Sequence, residues 1–241
     1  MLLTVDSIKN GEQEIPMSEI LHLRQWVYQF LGRSYYAGPV LEEFQELARS
    51  NPFQSLAVEA EGSQEGIRYL TDYFEKIPSL NTEGWINLLE EYQRLFIGPQ
   101  ELPAHPWESV HLSLQHIILD EHTLAVRKFY REWGVEVILN DPDDHVGLEL
   151  EFIAHLIGKG LEYLNQGDLT GLKNVLLAQK TFLNDHLLRW VREYCNQLAN
   201  STEHPFYRGI ALFTPDYLES DLDFIDELVS CLEKNNTMKE G

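Results

Sequence analysis

Apolar residues recur at intervals of three and four along most of this chain, which is the spacing of one face of an α-helix. The pattern is clearest between Thr82 and Phe96. Its stripe is made of the aromatic and aliphatic residues Trp85, Leu88, Leu89, Tyr92, Leu95 and Phe96. Glu91 borders the stripe, and Gly98-Pro99 follows as a helix-ending signal. We therefore predict an amphipathic helix that ends shortly before residue 98.

The same periodicity predicts helices along the rest of the chain. The predicted segments are 18–35, Pro39 to just before Pro52, 64–76, 123–133, about 144–164, 169–183 and 185–198. Pro39 suits the first position of a helix, because an N–H there has no helical acceptor. Asp143 or Asp144 is predicted to cap the long helix that follows. Pro205 and Pro215 are each predicted to start a further helix.

Together these segments predict an all-α protein, built as a single bundle-like helical domain of about nine or ten helices. The domain is expected to cover residues 18–234. Residues 1–17 are predicted to form an irregular N-terminal arm, and residues 235–241 a frayed C-terminus. The proline-rich connection 97–111 is a candidate hinge, at which two copies of the chain would exchange helices.

Charge narrows the classes of partner. The formal net charge is −21, from 18 Lys and Arg against 39 Asp and Glu, so nucleic acid and anionic membranes are repelled. No Lys or Arg occurs from Leu95 to Val126 or from Glu132 to Gly158. These two acidic windows either form a solvated surface that keeps the protein soluble or attract a cationic partner, and the sequence leaves both interpretations open.

Motifs for catalysis and for metal or nucleotide binding are missing from the sequence. It contains no H-E-x-x-H, no G-x-x-x-x-G-K-[ST] and no G-x-S-x-G. His111, His116 and His122 do not have the spacing of a known metal site. We therefore expect no catalytic residue, no metal site and no enzymatic activity.

The expected location is the cytoplasm. No run of 18 apolar residues occurs, and the N-terminal residues lack the basic start and apolar stretch of a secretory signal. Cys195 and Cys231 are predicted to be free thiols in a reducing compartment, because a chain of this size needs no disulfide.

Two segments carry the functional signal. The first signature segment (residues 91–109) contains Glu91-x-x-x-Leu-Phe-x-Gly-Pro, Leu-Pro and Pro-Trp-Glu-Ser. The second signature segment (residues 142–149) reads Pro-Asp-Asp-His-x-Gly-x-Glu. In this order they resemble the TorD/DmsD family of cytoplasmic chaperones for molybdenum-containing oxidoreductases that are exported through the twin-arginine pathway.

The resemblance implies a chaperone that binds the twin-arginine leader and the apo form of a molybdopterin-dependent oxidoreductase, and so delays export until the cofactor is inserted. It implies an apolar trough for the leader made of Tyr92, Leu95, Phe96 and Trp107. It implies polar leader contacts from Asp144, His145, Glu91, Glu108 and Asp143. Structural roles in the signatures would fall to Gly98, Pro99, Pro103, Pro106, Ser109, Pro142 and Gly147.

Each of these roles has a structural alternative. Leu95 and Phe96 lie on a core-type stripe and could simply be buried. Asp144 could serve only as a helix cap, which stabilises a helix by about 1 kcal/mol. Gly147 could allow two helices to pack closely.

Alternatives of function also stay open. One is a nitrate-reductase-type assembly chaperone that acts on a membrane enzyme that is not exported. Another is a small helical metal-dependent enzyme or sensor. We expect no cofactor; guanine-nucleotide binding, proposed for some relatives, would lack a Gly-rich cradle here. The expected partners are the leader and its precursor, with no nucleic acid and no membrane insertion, and the chain would be a monomer or a helix-swapped dimer.

Overall fold

A computed structural model describes residues 16–54, 61–77, 82–113, 118–138 and 141–237, and these residues form ten α-helices and no strand. The helices are α1 (Met17–Tyr36), α2 (Leu41–Ser50), α3 (Glu61–Lys76), α4 (Thr82–Tyr92), α5 (Glu108–Leu112), α6 (Glu121–Glu132), α7 (Val146–Gln166), α8 (Leu169–Asp185), α9 (Val191–Asn200) and α10 (Pro205–Thr237). The predicted all-α class is confirmed. Most of the predicted N-terminal arm and the last four residues lie outside the described ranges.

Four predicted helix starts are wrong. The helix predicted from residue 185 begins only at Val191, because α8 continues to Asp185. Helix α2 begins at Leu41 after Val40, so Pro39 precedes the helix. The cap of α7 is His145, whose ring nitrogen accepts from the Gly147 N–H, and neither Asp143 nor Asp144 takes that place. The two aspartates are engaged elsewhere, as described below.

Thr214-Pro215 does not start a helix, since α10 passes through it as one helix from Pro205 to Thr237. Pro215 removes a single donor, the one that would bond the carbonyl four residues earlier. Phe213, Tyr217 and Leu218 around it are buried, so packing holds this part of the helix in place. The prediction failed because proline is a local signal, and tertiary packing outweighed it.

Helix α5 and the π-helical turn Gln93–Ile97 were not predicted. The π turn continues α4 without a break, and Gly98 ends it in a left-handed conformation at φ +92°. Its N–H bonds the Gln93 carbonyl at 2.9 Å. A side chain with a Cβ rarely adopts that φ, which explains the glycine.

The core lies between α1, α7, α8 and α10. Helix α1 packs along α7, α7 along α8, and α10 against α3, α8 and α9. Helices α1 and α7 approach each other closely at Gly147, where an added Cβ would lie 2.8 Å from the Gly32 carbonyl and 2.7 Å from the Tyr36 Cβ. A buried ion pair between Arg24 and Asp221, at 2.8 Å from Nη2 to Oδ2, joins α1 to α10. No described helix is long and apolar enough to cross a membrane.

Candidate functional site

The two signature segments lie side by side. The Glu108 N–H donates to the Asp144 carbonyl at 3.0 Å, and the Val146 N–H donates to the Pro106 carbonyl at 2.8 Å. Between them, Trp107 and His145 form an isolated antiparallel bridge. The start of α5 is thereby fixed against the start of α7, although about 35 residues separate the two in sequence.

Asp144 ties three elements together from the inside. Its carboxylate accepts from the Ser109 N–H at 2.8 Å and from the Thr123 hydroxyl at 3.0 Å, and the side chain is completely buried. A buried carboxylate is tolerated when donors satisfy it in this way. Asp144 therefore holds α5 and α6 against the second signature segment.

Asp143 is neutralised by Arg127 of α6. The Arg127 Nε lies 2.7 Å from its Oδ2 and Nη2 lies 2.6 Å from the same oxygen. The Tyr130 hydroxyl donates to the Asp143 carbonyl at 3.1 Å. The carboxylate is nearly buried, so its charge is balanced by Arg127 and is not presented to a partner.

Glu108, at the first position of α5, has no exposed surface and faces two histidines. Its carboxylate lies 3.0 Å from Nδ1 of His186 and 3.5 Å from Nδ1 of His122. These contacts connect α5 to the end of α8 and the start of α6. An acid that the sequence suggested as an exposed leader contact thus sits at the centre of a polar junction.

Glu149 completes this junction from α7. Together with Glu108 and Asp144 it forms what we call the carboxylate cluster. Glu149 is completely buried, and neither of its carboxyl oxygens has a hydrogen-bond partner among the described residues. Burial, and then the charges of Glu108 and Asp144, hold the pKa of Glu149 well above its usual value. Burial therefore favours the protonated, neutral form of Glu149 more than it would be favoured in a free carboxyl group.

His145 lies at the edge of the junction. Its Nδ1 accepts from the Gly147 N–H at 3.0 Å, which leaves the ring hydrogen on Nε2 when the ring is neutral. Burial lowers the pKa of His145 to about 4, against a small opposing effect of Asp141. The ring packs edge-on against Tyr36 and Trp107, at centroid distances of 5.0 and 5.9 Å.

The aromatic stripe of the first signature segment faces the core. Leu95 has no exposed surface, and Phe96 packs against Tyr35 at 6.1 Å and Tyr207 at 5.7 Å. Tyr92 is buried and its hydroxyl donates to the Tyr36 carbonyl at 2.6 Å. These side chains fix the end of α1 to the end of α4.

Glu91 is occupied as well. Arg94 binds it through two nitrogens at 2.7 and 2.8 Å, and the Thr202 hydroxyl donates to it. The Arg94 hydrogen bonds lower the pKa of Glu91, which is therefore ionised near pH 7. This half-buried carboxylate joins the end of α4 to the loop before α10.

The family model described as nitrate reductase delta subunit matches residues 57–196, which is more than half of the chain and includes both signature segments. The chain belongs to the nitrate reductase delta subunit family. The predicted resemblance to the TorD/DmsD chaperones is confirmed, because the curated relatives of this family member carry those names.

Three relatives illustrate the similarity. A protein of Haemophilus influenzae named probable Tat proofreading chaperone DmsD is 33% identical over 130 residues, which are 53% of this chain and 57% of that protein. The Tat proofreading chaperone DmsD of Salmonella paratyphi A is 32% identical over 126 residues, 52% and 55% of the two chains. Chaperone protein TorD of Vibrio cholerae is 25% identical over 178 residues, 73% and 76%. The first two matches span little more than half the length of those relatives.

The side chains predicted as leader contacts are mostly covered in this family member. Buried ones are Tyr92, Leu95, Phe96, Glu108, Asp143, Asp144 and His145, whereas Glu91 and Trp107 are half-buried. The expected open trough with exposed carboxylate walls is therefore not the conformation described here. The physical reason is that the helical stripe faces the core and neighbouring donors satisfy the acids. Their role in leader binding stays a prediction.

The residues predicted as structural have identifiable places. Val146 donates to the Pro106 carbonyl, and Ser109 donates its N–H to Asp144. The His145 N–H bonds the Pro142 carbonyl at 3.3 Å. Pro99 and Pro103 lie in the connection between α4 and α5. Gly147 is required for close packing of α1 and α7, which was one of its predicted alternatives.

Sequence reasoning missed the residues through which the junction reaches solvent. The hydroxyl of Tyr36, beside His145, donates to exposed Asp141 at 2.7 Å. A tyrosine at the end of a helix gives no sequence signal of this kind. His186 was missed too, and Glu149 was noted only as the last residue of the second signature segment, because only the fold brings these two side chains beside Glu108.

The donor set does not suggest a metal centre in the described part of the chain. Within those residues, no group of three or more His, Cys, Asp or Glu side chains is arranged to hold a metal ion. Cys195 is buried and Cys231 half-buried, and both are free.

Proposed function

We propose that this family member is a cytoplasmic chaperone for a molybdopterin-dependent oxidoreductase. It binds the twin-arginine leader together with the apo form of that enzyme, and thereby delays export until cofactor insertion is complete. The mechanism is competition, because a leader held by the chaperone cannot engage the translocase. Release requires weaker binding to the finished enzyme, since a partner shifts an equilibrium only through differential affinity.

One observation carries the proposal. The two signature segments by which the sequence resembles chaperones of exported enzymes are joined at the Trp107–His145 bridge into a single junction, next to a surface formed by Tyr36 and Asp141. The names of relatives, which include Tat proofreading chaperone, support the same class of partner.

The chemistry of such a leader matches the protein. Two adjacent arginines followed by an apolar stretch suit an acidic surface with apolar recesses. Burial of roughly 400 Å² of apolar surface would contribute about 10 kcal/mol at ~25 cal/mol/Å². Ordering a flexible peptide offsets much of this, so we expect a Kd on the order of 1 μM.

Calorimetry with a synthetic twin-arginine leader tests the proposal. We expect micromolar binding, weakened about 3–10-fold when both arginines are replaced by lysine, because lysine cannot form the planar two-bond pair with a carboxylate. A leader with a scrambled apolar stretch is the control. Equal heats for all three peptides, or none at all, would contradict the proposal.

A second candidate is an assembly chaperone for a membrane-bound nitrate reductase that is not exported. The observation that favours it is the description of the matching family model, nitrate reductase delta subunit. A pull-down from the native host distinguishes the two candidate functions. A chaperone of an exported enzyme co-purifies with a precursor that carries a twin-arginine leader, whereas a nitrate reductase assembly chaperone co-purifies with a catalytic subunit that lacks this leader. Sedimentation of the purified chain distinguishes a monomer from a dimer, and calorimetry with GTP tests nucleotide binding.

A further inference from the structure

A groove opens between α1 and α2, separate from the buried junction. Its volume is about 230 Å³, and its apolar walls include Trp26, Phe30, Phe44, Leu47 and Phe206. Pockets for drug-sized molecules usually hold ≈ 300–1,000 Å³. The α1–α2 groove is smaller and open, which suits a few side chains of a peptide better than a small molecule.

The floor of the groove is preformed. Phe30 stacks on Trp26 at 5.6 Å and meets Phe206 edge-on at 6.2 Å, while Phe44 packs against Phe206 at 4.9 Å. Phe30, Phe44 and Phe206 are nearly buried, so their positions are set by the core. A preformed apolar floor reduces the entropy cost of binding.

The rim of the groove is acidic. Glu43 and Glu46, both exposed, line it from α2, and Arg33 is the single Lys or Arg among the lining residues. Arg33 is engaged by Glu43 at 3.2 Å and by Glu151 at 3.9 Å. The two lining carboxylates outnumber the guanidinium, which Glu151 also contacts from outside the groove, so the rim attracts positive charge.

One end of the groove touches the first signature segment. Gly38, which lines the groove at φ +74°, packs against the Tyr92 ring so closely that an added Cβ would lie 2.9 Å from Cε1. Tyr92 bonds the Tyr36 carbonyl, and Tyr36 contacts both His145 and Asp141. The open groove and the first signature segment are thus in direct contact through Gly38 and Tyr92.

We propose that the α1–α2 groove holds the apolar stretch of the leader, with Glu43 and Glu46 facing cationic residues of the same peptide. This inference rests on the proposed function and assigns it a place. A cationic and apolar segment complements both the charge of the rim and the apolar floor. A second copy of this chain, at −21, would bring acids against acids.

Leader binding by groove variants tests the inference. We expect Leu47→Ala, which shortens a half-buried wall residue, to raise the Kd about 3–10-fold. The double variant Glu43→Gln/Glu46→Gln should raise it about 2–5-fold and flatten its salt dependence. The control is Leu177→Ala, which shortens an exposed leucine on α8 outside the groove.

A cross-linking measurement avoids any effect of the variants on folding. A leader carrying a benzophenone side chain in its apolar stretch should label the wild-type protein. After digestion, the label should be found on fragments that contain residues 26–47. Labelling confined to other parts of the chain, or groove variants that bind like wild type, would overturn the inference while leaving the proposed function intact. Failure of wild type to bind any leader would overturn both. Groove variants that alter self-association and leave leader binding unchanged would assign the groove to a second copy.

Discussion

The carboxylate cluster and the α1–α2 groove differ in what their acids do. In the cluster, Asp144 accepts from two donors, Glu108 faces His186, and burial raises the pKa of Glu149. At the groove, Glu43 and Glu46 are exposed beside apolar walls. The first arrangement fixes helices relative to one another, and the second presents charge to a partner.

The residues that stabilise the fold and the residues proposed to bind a partner therefore lie in different parts of the molecule. The residues that make the sequence recognisable are largely interior ones, and they set the positions of α5, α6 and α7. Residues of the groove are ordinary members of helical stripes. A change in the cluster should therefore act first on folding, and a change at the groove rim should act first on binding.

The largest effect is expected for Asp144→Ala. The substitution leaves the Ser109 N–H and the Thr123 hydroxyl without their acceptor, both in a buried place. Each unsatisfied buried group costs about 1–3 kcal/mol, so we expect the free energy of unfolding to fall by about 4 kcal/mol. Urea unfolding followed by circular dichroism measures it.

Asp141→Ala is the matched control, because Asp141 is an exposed acid three residues earlier whose described bond is to Tyr36. Its cost should stay below about 1 kcal/mol. Equal losses for Asp141→Ala and Asp144→Ala would show that the cluster does not stabilise the fold more than the surface does.

Much of the fold could be predicted because helical periodicity is a local property. Helix α1 was predicted at 18–35 and is found at Met17–Tyr36, and the stripe of α4 was predicted through Phe96. Local signals failed where packing decided, as at Pro215, or where a short helix has too few residues for a period, as in α5.

The site was predictable only in part. The signatures marked both partners of the Trp107–His145 bridge, yet nothing in the sequence distinguishes a stripe that faces the core from one that faces a ligand. Asp144 was predicted as a leader contact from the family resemblance, or alternatively as a helix cap, whereas donors from distant elements make its burial tolerable. The α1–α2 groove depends on contacts between α1, α2 and Phe206, which the sequence separates by more than 150 residues.

His145 gives the next effect, which appears in acid. Its folded-state pKa of about 4 lies below the ordinary 6.5, so the unfolded state takes up a proton first as pH falls. The neutral ring therefore contributes stability above pH 6.5 that is lost toward pH 4. The shift corresponds to about 3 kcal/mol at 1.36 kcal/mol per unit.

Urea unfolding at several pH values between 7 and 4 should detect this loss. His145→Asn keeps a cap acceptor without titrating. Its free energy of unfolding should therefore fall less steeply between pH 7 and pH 4 (the acid limb of the stability curve) than that of wild type. The exposed His22→Asn on α1 serves as the control, with an unchanged acid limb. Parallel acid limbs for wild type and His145→Asn would rule out a neutral buried His145.

Glu149→Gln tests the carboxylate cluster through the pH dependence of stability above the ordinary pKa of a glutamate. Because the folded-state pKa of Glu149 is raised above 4.5, the native state binds the extra proton, and wild-type stability falls as pH rises toward that pKa. The amide is always neutral and keeps the shape of the acid. We expect the variant to gain stability relative to wild type as pH rises from 4.5 toward 8, at no more than ~1.4 kcal/mol per pH unit.

Thermal and urea unfolding across that pH range provide the measurement. Glu162→Gln, at an exposed position of the same helix, should run parallel to wild type. A difference between wild type and Glu149→Gln that stays constant with pH would mean that Glu149 is ionised in the native state and that the cluster holds three charges.

The smallest effect on stability is expected at the groove, from Glu46→Gln. Glu46 is exposed on α2, and surface substitutions of this kind usually change the free energy of unfolding by no more than about 0.5 kcal/mol. Urea unfolding should therefore overlay wild type, while calorimetry with the leader shows weaker binding at low salt and a smaller difference at high salt, because screening removes the rim's attraction. That combination sharpens the contrast with Asp144→Ala, which loses stability directly. If Glu46→Gln instead unfolded at clearly lower urea, Glu46 would contribute to the stability of the fold. The contrast between a cluster that stabilises the fold and a groove that binds a partner would then fail.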